Sequence, residues 1–424
     1  MCYAIPGRVI SVDGRTVTVD YFGESRKAHL VNDSVEPGEY VYAQGGIIVG
    51  KVSEKDALEI LDTWKEKFFE LKNVDAGLAA PETESVLSPI LKKAESTGTL
   101  SRNEMLAVLS AEGDGLQSLY STANRIRKDN LDNACCVHGI LEFSNYCETN
   151  CLYCGIRCGN KALKRYRMDE EQIADAVDHA VEELGFKALV LQSGEDPYYT
   201  DDMLVDIVKR IREKHGILVF MSIGERSREC YRKLYEAGAY GALLRFEISN
   251  PEIYGRMRPG KKKEDRMQLI RDLNELGFVL ATGFLIGLPG QTKQDIINDI
   301  LLTKSLKPDM YSFGPLIPHP GTPLASVEKS KLNDVLKVIA LSRLVDPEAK
   351  ILVTTALETL SPDAGRAALL AGGNSLMINT TPPEFRKFYE LYPGKAKEES
   401  VDDTIKKTVG LLHSLGRAPT DLGI

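Results

Sequence analysis

The chain has 424 residues, 43% apolar and 27% charged, which at about 150 residues per domain suggests two or three globular domains. Its net charge of −8 is mild and argues against a nucleic-acid-binding surface. No run approaches the roughly 18 apolar residues of a membrane helix, and the start lacks the charged and apolar regions of a secretory signal, so a cytoplasmic setting is expected, in which its eight cysteines read as metal ligands before disulfides. The first 50 residues read as short strands. Residues 8–12 and 16–21 alternate in polarity, and Asp13-Gly14 between them is a hairpin signal. Residues 39–43 and 47–49 suggest further strands, punctuated by Gly45-Gly46. Ser53 to Asp56 resembles a capping box, and Ala57, Ile60, Leu61, Trp64, Phe68 and Leu71 follow at helical spacing. Residues 1–75 therefore predict a small β-barrel domain with one terminal helix. A polar linker, 76–84, leads into a large domain, 85–424.

Helical patterns open the large domain at 89–94, 102–109 (capped by Ser101 with Glu104) and 117–128. Strands and helices then alternate. Candidate strands are 138–143, 187–192, 217–222, 241–246, 279–286, 310–316, 350–355 and 374–379, the pattern of an α/β fold built as a (βα)8 TIM barrel. Chemistry in such a barrel gathers at the carboxyl ends of the strands. After the first strand come Cys147, Cys151 and Cys154, three thiolates from one short loop. Cys158 could add a fourth ligand for a structural zinc or a closed electron-transfer cluster. A cluster held by three cysteines instead leaves one iron open. Strand two ends in Gln192, Ser193, Gly194 and Glu195, strand three in Ser222, Gly224 and Glu225, and strand four in Arg245, Phe246 and Glu247, with Arg266 soon after. Strand five carries a glycine-rich end, including Gly283 and Gly287, and the tail 402–416 reads as a helix.

The opening Met1-Cys2-Tyr3-Ala4-Ile5-Pro6-Gly7, with Gly38-Glu39-Tyr40-Val41 and the helix after it, is similar to the HypC/HupF hydrogenase assembly chaperones. That resemblance implies a metal-thiolate role for Cys2, the position that carries an iron carbonyl cyanide fragment in the family, although Gln44 stands where the family usually has a histidine. The segments 143–147 and 151–155 resemble the cluster loop of the radical S-adenosylmethionine (SAM) superfamily. In that superfamily three cysteines hold a 4Fe–4S cluster whose open iron chelates the amino and carboxylate groups of SAM, and reduction yields a 5′-deoxyadenosyl radical. From about Ser88 to Lys395 the chain is similar to HydE-type iron-only hydrogenase maturases, relatives of biotin synthase and methylornithine synthase. The runs 142–145, 191–199, 315–320, 354–356 and 389–395 carry this likeness.

By position, the resemblance implies that Cys147, Cys151 and Cys154 bind the cluster and that Gln192, Ser222, Glu247, Arg266 and Tyr389 hold SAM. The backbone of Gly194 and Glu195 would meet its amino group, and Gly283 and Gly287 would let backbone approach its adenine. Arg266 suits a carboxylate because its fork pairs bidentately, and Glu247 suits ribose hydroxyls because it only accepts. The substrate pocket would use Ser193, Arg245, Met310, Thr354, Thr355, Met377 and Tyr392, with Met310 and Met377 equally readable as barrel core. Arg245 among threonines implies an anionic substrate. Phe246 replaces a family histidine, and Phe220 and Phe284 fill places that are smaller or polar in bacterial members, which predicts a reshaped or drier pocket. The chain lacks the extra cysteines that hold a second cluster in some members, so one cluster is expected. The expected activity is reductive SAM cleavage, acting on a small anionic, sulfur-containing or cysteine-ligated iron substrate in hydrogenase-type cofactor maturation. It implies an external electron donor and a maturation partner for the N-terminal domain. The alternatives are carbon-skeleton rearrangement, sulfur insertion, or a non-catalytic iron-complex chaperone using Cys2.

Overall fold

A computed structural model describes residues 4–31, 34–79, 84–394 and 400–423; Cys2 lies outside the described residues. Strands β1 (Gly7–Asp13), β2 (Thr16–Tyr21), β3 (Glu24–His29), β4 (Tyr40–Gln44) and β5 (Ile47–Val52) close into a small barrel in the order β1-β2-β3-β5-β4. Asp13 pairs with Thr16 across a two-residue turn, and Gly14 takes the left-handed φ of +59° that the turn requires. Val17, Val19 and Tyr21 alternate inward, and Phe68 and Leu71 of helix α1 (Glu54–Leu78) complete the same core. Ser53 caps α1 by accepting from the Asp56 amide, but its hydroxyl bonds the Asp56 carboxylate, so the reciprocal half of a capping box is not made.

Helices α2 (Ser88–Thr97), α3 (Arg102–Leu109) and α4 (Asp114–Leu131) lead to the large domain, and α3 does carry the full Ser101–Glu104 box. Eight parallel strands then close in sequence order: β6 (Cys136–Ser144), β7 (Ala188–Ser193), β8 (Leu218–Ser222), β9 (Gly241–Leu243), β10 (Val279–Thr282), β12 (Met310–Ser312), β14 (Ile351–Val353) and β15 (Ser375–Asn379). Strands five and six are each cut short. β11 (Leu285–Ile286) and β13 (Gly314–Pro315) pair only with one another, where Gly283 lies so near Ser312 that a Cβ would sit 2.1 Å from its carbonyl oxygen. Val137, Leu141 and Phe143 of β6 face the helices, while His138 and Ile140 face the barrel axis, the period of two expected of a strand.

Phe246, Phe284 and Phe313 stack in the outer core at centroid distances of 6.0 and 5.2 Å. Phe220 lies inside the barrel over Gly241, where a Cβ would meet its ring at 2.4 Å. None of the three expected pocket phenylalanines, Phe220, Phe246 and Phe284, lines the cavity described below. Their bulk is taken up by core packing, so the drier pocket does not follow from them.

The small barrel packs against the amino ends of the large barrel's strands. Ile47 and Val49 share one apolar cluster with Ala188, Leu218 and Val279, the first residues of β7, β8 and β10. The Gly46 amide donates to Asp421 at 3.1 Å, and the Ile5 amide donates to the Pro419 carbonyl at 3.3 Å. A buried clamp ties α1 to the rest: Asp75 pairs with Arg127 of α4 at 2.7 Å and with Arg417 at 3.2 Å. Arg417 follows the tail helix, Val401–Ser414.

Candidate active site

At the opposite end, β6 runs straight into the cysteine loop. Asn145 fixes the junction: its amide donates to the Lys164 and Phe388 carbonyls at 2.8 and 2.7 Å and accepts from the Tyr166 amide at 2.8 Å. Arg165 donates to the Asn145 and Ile156 carbonyls, and Arg157 to the Cys151 carbonyl at 3.2 Å, so two guanidiniums staple the loop. Gly194 is required beside it, because a Cβ there would lie 2.1 Å from the Tyr146 carbonyl oxygen.

Cys147, Cys151 and Cys154 line one cavity of about 280 Å³, near the lower bound of small-molecule sites at roughly 300 Å³; Cys158 does not line it. The Thr149 hydroxyl stands 2.9 Å from the Cys147 sulfur and 3.7 Å from that of Cys151. Burial pushes the Cys147 and Cys154 thiols up, and for Cys154 the neighbouring Cys147 and Cys151 add to the effect. A metal bound as thiolate offsets that cost by displacing the proton. Among the described residues, the one set of three ligating side chains whose donor atoms all lie within 4.8 Å is Asp178, Glu182 and His215, and the Lys214 ammonium already bridges those carboxylates. At least one pair of the three cysteine sulfurs therefore stands more than 4.8 Å apart, wider than the roughly 3.8 Å between thiolates on one tetrahedral zinc.

Above the thiols, four buried polar atoms lack hydrogen-bond partners among the described residues: Glu247 Oε2, Arg266 Nη1, Arg258 Nε and Thr354 Oγ1. All four residues line the cavity. A buried polar group without a partner is costly, so a ligand with both hydroxyls and a carboxylate fits this wall. Glu247 also holds a left-handed φ of +68°, the kind of backbone strain that gathers at functional sites. Arg245 lies 3.4 Å from it. The Arg266 Nε donates to the Arg245 carbonyl at 2.9 Å, while its Nη1 lies 3.3 Å from Glu225. Arg258 and Lys261 complete the network, Arg258 at 3.3 and 3.0 Å and Lys261 at 2.8 and 3.2 Å from Glu195 and Glu225. Burial opposes ionisation of Glu225, but Arg266, Arg258 and Lys261 outweigh it and hold the carboxyl below its usual value.

Of the positions read from the sequence, Gln192, Ser193, Gly194, Glu195, Ser222, Arg245, Glu247, Arg266, Thr354, Thr355, Met377, Tyr389 and Tyr392 come together on this cavity. Gln192 donates to the Tyr389 hydroxyl at 3.3 Å, and the Thr355 and Tyr392 hydroxyls meet at 2.8 Å. Three positions do not join them. Met310 is buried in the barrel interior beneath the cavity, where its sulfur meets the Ser375 hydroxyl. Gly283 and Gly287 are needed for protein packing, the first against Ser312 and the second, at φ +90°, against Ser330. The Glu195 carboxylate is spent on Arg258 and Lys261. Thr149, Tyr153, Glu225 and Arg258 were not singled out as site residues. Thr149 could have been found as the polar residue inside the cysteine spacing; the partnership of Glu195 with Arg258 spans 63 residues and leaves no local pattern.

Three profiles match the sequence: the HupF/HypC family over residues 1–64, the Radical SAM superfamily over 141–302, and the Biotin and Thiamin Synthesis associated domain over 312–410. The [FeFe] hydrogenase maturase subunit HydE of Thermotoga maritima is 42% identical over 332 residues, covering 78% of this chain and 94% of that protein. The chain is a radical SAM enzyme of the HydE family. Family membership brings a 4Fe–4S cluster and SAM, in keeping with the three thiols and the unpartnered wall. The 3-methylornithine synthase of Methanosarcina acetivorans is 29% identical over 76% of this chain and 90% of its own length. A methylornithine synthase crystal structure superposes with a TM-score of 0.71 at 28% identity, over 78% of this chain and 97% of that one. No helix among the described residues is long and apolar enough to cross a membrane.

Proposed function

We propose that this HydE-family enzyme uses a single cluster on Cys147, Cys151 and Cys154 to cleave SAM, and acts on a small anionic, sulfur-containing or cysteine-ligated iron substrate in hydrogenase-type cofactor maturation. The observation that carries the reading is one cavity bearing three cysteine thiols and a charged wall in which Glu247 Oε2, Arg266 Nη1 and Arg258 Nε lack hydrogen bonds among the described residues. When bound, the cluster supplies the electron that breaks a carbon–sulfur bond of SAM and releases a 5′-deoxyadenosyl radical. The remaining tasks fall to side chains. Arg266 pairs with the SAM carboxylate, Glu247 accepts from the ribose hydroxyls, and Gln192, Ser222 and Tyr389 complete the cradle. Arg245, Ser193, Thr354, Thr355 and Tyr392 receive the anionic substrate over a floor of Ile140, Leu352 and Met377 that excludes water.

The HupF/HypC-like module supports a maturation partner, and we read Cys2 as the thiolate that serves it.

Anaerobic reconstitution with dithionite and SAM tests the proposal. About four irons per chain and 5′-deoxyadenosine are expected, lost together in Cys154→Ala and retained in Cys158→Ala. A protein that binds four irons yet never cleaves SAM overturns the reading. Cys2→Ala should leave SAM cleavage intact while lowering iron transfer to a partner.

A further inference from the structure

The loop that follows the cysteines is rich in cations. Residues 149–168 contain Arg157, Lys161, Lys164, Arg165 and Arg167 and no carboxylate, in a protein with 61 acidic and 53 basic residues. Three of these cations are committed: Arg157 and Arg165 to loop carbonyls, and Arg167 to Asp196 at 2.8 Å. Lys161 and Lys164 are exposed and form no ion pair among the described residues. Lys387, also exposed, joins them, because Lys164 and Lys387 both lie over the Phe388 ring at 4.5 and 5.1 Å. The patch is wired to the cluster loop, since the Asn145 amide holds the Lys164 and Phe388 carbonyls two residues before Cys147. Beside it Arg167 stacks between Tyr146 and the half-exposed Tyr198, at 3.8 and 4.6 Å. The acids nearby are Glu148 and the run Asp169, Glu170 and Glu171 at the two ends of the stretch, Glu384, and Glu390, which faces His319 at 3.5 Å.

Resting on the proposed function, we infer that Lys161, Lys164 and Lys387, around Phe388, form the docking surface for an acidic one-electron carrier protein that reduces the cluster. One electron passes from the carrier, which is oxidised by one unit, to the cluster, which is reduced by one; no bond forms or breaks. Charge complementarity decides the class of partner. A carrier with an acidic face is repelled by the net negative chain as a whole and drawn to a cationic stretch beside the group it must reach.

The test uses the reconstituted full-length chain and an acidic plant-type 2Fe–2S ferredoxin, with cluster reduction followed by stopped-flow absorbance. A photoreduced deazaflavin, small enough to need no docking, is the control. The unmutated protein should be reduced by ferredoxin at a rate that falls several-fold between 50 and 300 mM salt. Combined Lys161→Glu, Lys164→Glu and Lys387→Glu should slow it at least tenfold at low salt, and the Gln counterparts by an intermediate amount. Reduction and SAM cleavage driven by deazaflavin should stay within twofold. Ferredoxin rates indifferent to salt and to the charge reversals overturn the docking surface. Equal slowing with deazaflavin also overturns it, and assigns the lysines to the cluster potential or loop packing. If deazaflavin reduces no cluster in the unmutated chain, the function on which the surface rests is itself wrong.

Discussion

Thr149 holds its hydroxyl 2.9 Å from the Cys147 sulfur and 3.7 Å from that of Cys151, which under the proposed function makes it the side chain best placed to tune the cluster. Hydrogen bonds to cluster sulfurs raise the potential by stabilising the reduced state. Thr149→Val keeps the shape and removes that contact. Its midpoint should move negative by tens of millivolts, the equivalent for one electron of a bond of about 1 kcal/mol, with iron content unchanged in a potentiometric titration. His138 is a different kind of polar residue. It faces the barrel interior fully buried, neither ring nitrogen has a partner, and burial with help from Lys350 pulls its pKa down to about 4. Its folded pKa is thus below the unfolded value near 6.5, so the unfolded chain takes up the proton first as pH falls. This imidazole should cost stability progressively from about pH 6.5 to 4, roughly 3 kcal/mol in all, and no more below that. Urea melts at pH 7 and 4.5 should show the loss in the natural chain and a smaller one in His138→Leu. Neither residue could be weighted from the sequence, because a threonine between cysteines and a histidine in an apolar run look alike in countless cores. The cysteines could, because their spacing alone brings three thiols to one loop.

The eight barrel strands were readable because each is an apolar run fenced by helical periodicity, and they fall where those runs do. β3 was not, since Glu24 to His29 is mostly polar and only Glu24 and Ala28 are buried, Glu24 paired with Arg26 and Lys72. The split of strands five and six was also hidden, because what interrupts them is the contact of Gly283 with Ser312, a neighbour in space and not in sequence. Contacts of that kind also join α1, α4 and the tail. Asp75 is the carboxylate facing the buried Arg127 and Arg417. Removing it strands two guanidiniums in the interior, so Asp75→Asn should destabilise by about 3–5 kcal/mol in chemical denaturation. Gly416 makes the same junction intolerant of bulk, with φ +67° and a would-be Cβ 2.3 Å from the Leu71 carbonyl and the Asp75 amide.

The linker composition marks a boundary between two units and is silent on whether they dock; Ile47 and Val49 seat the small barrel in the apolar floor of the large one. Strand residues of this sort carry no sign of which surface they will cover, which is why the docking was not legible. Ile47→Asp puts a carboxylate into that floor with no cation provided for it, and several kcal/mol should be lost. Calorimetry should then resolve two transitions where the natural chain shows one. The seated module has a further meaning for turnover. With the amino end stoppered by Ile47 and Val49, and with Ile140, Leu352 and Met377 forming both the cavity floor and part of the plugged interior, ligands reach that floor from the carboxyl ends of the strands. Under the proposed function a substrate on the floor lies beneath SAM, so steady-state kinetics should report substrate binding before SAM in place of random order.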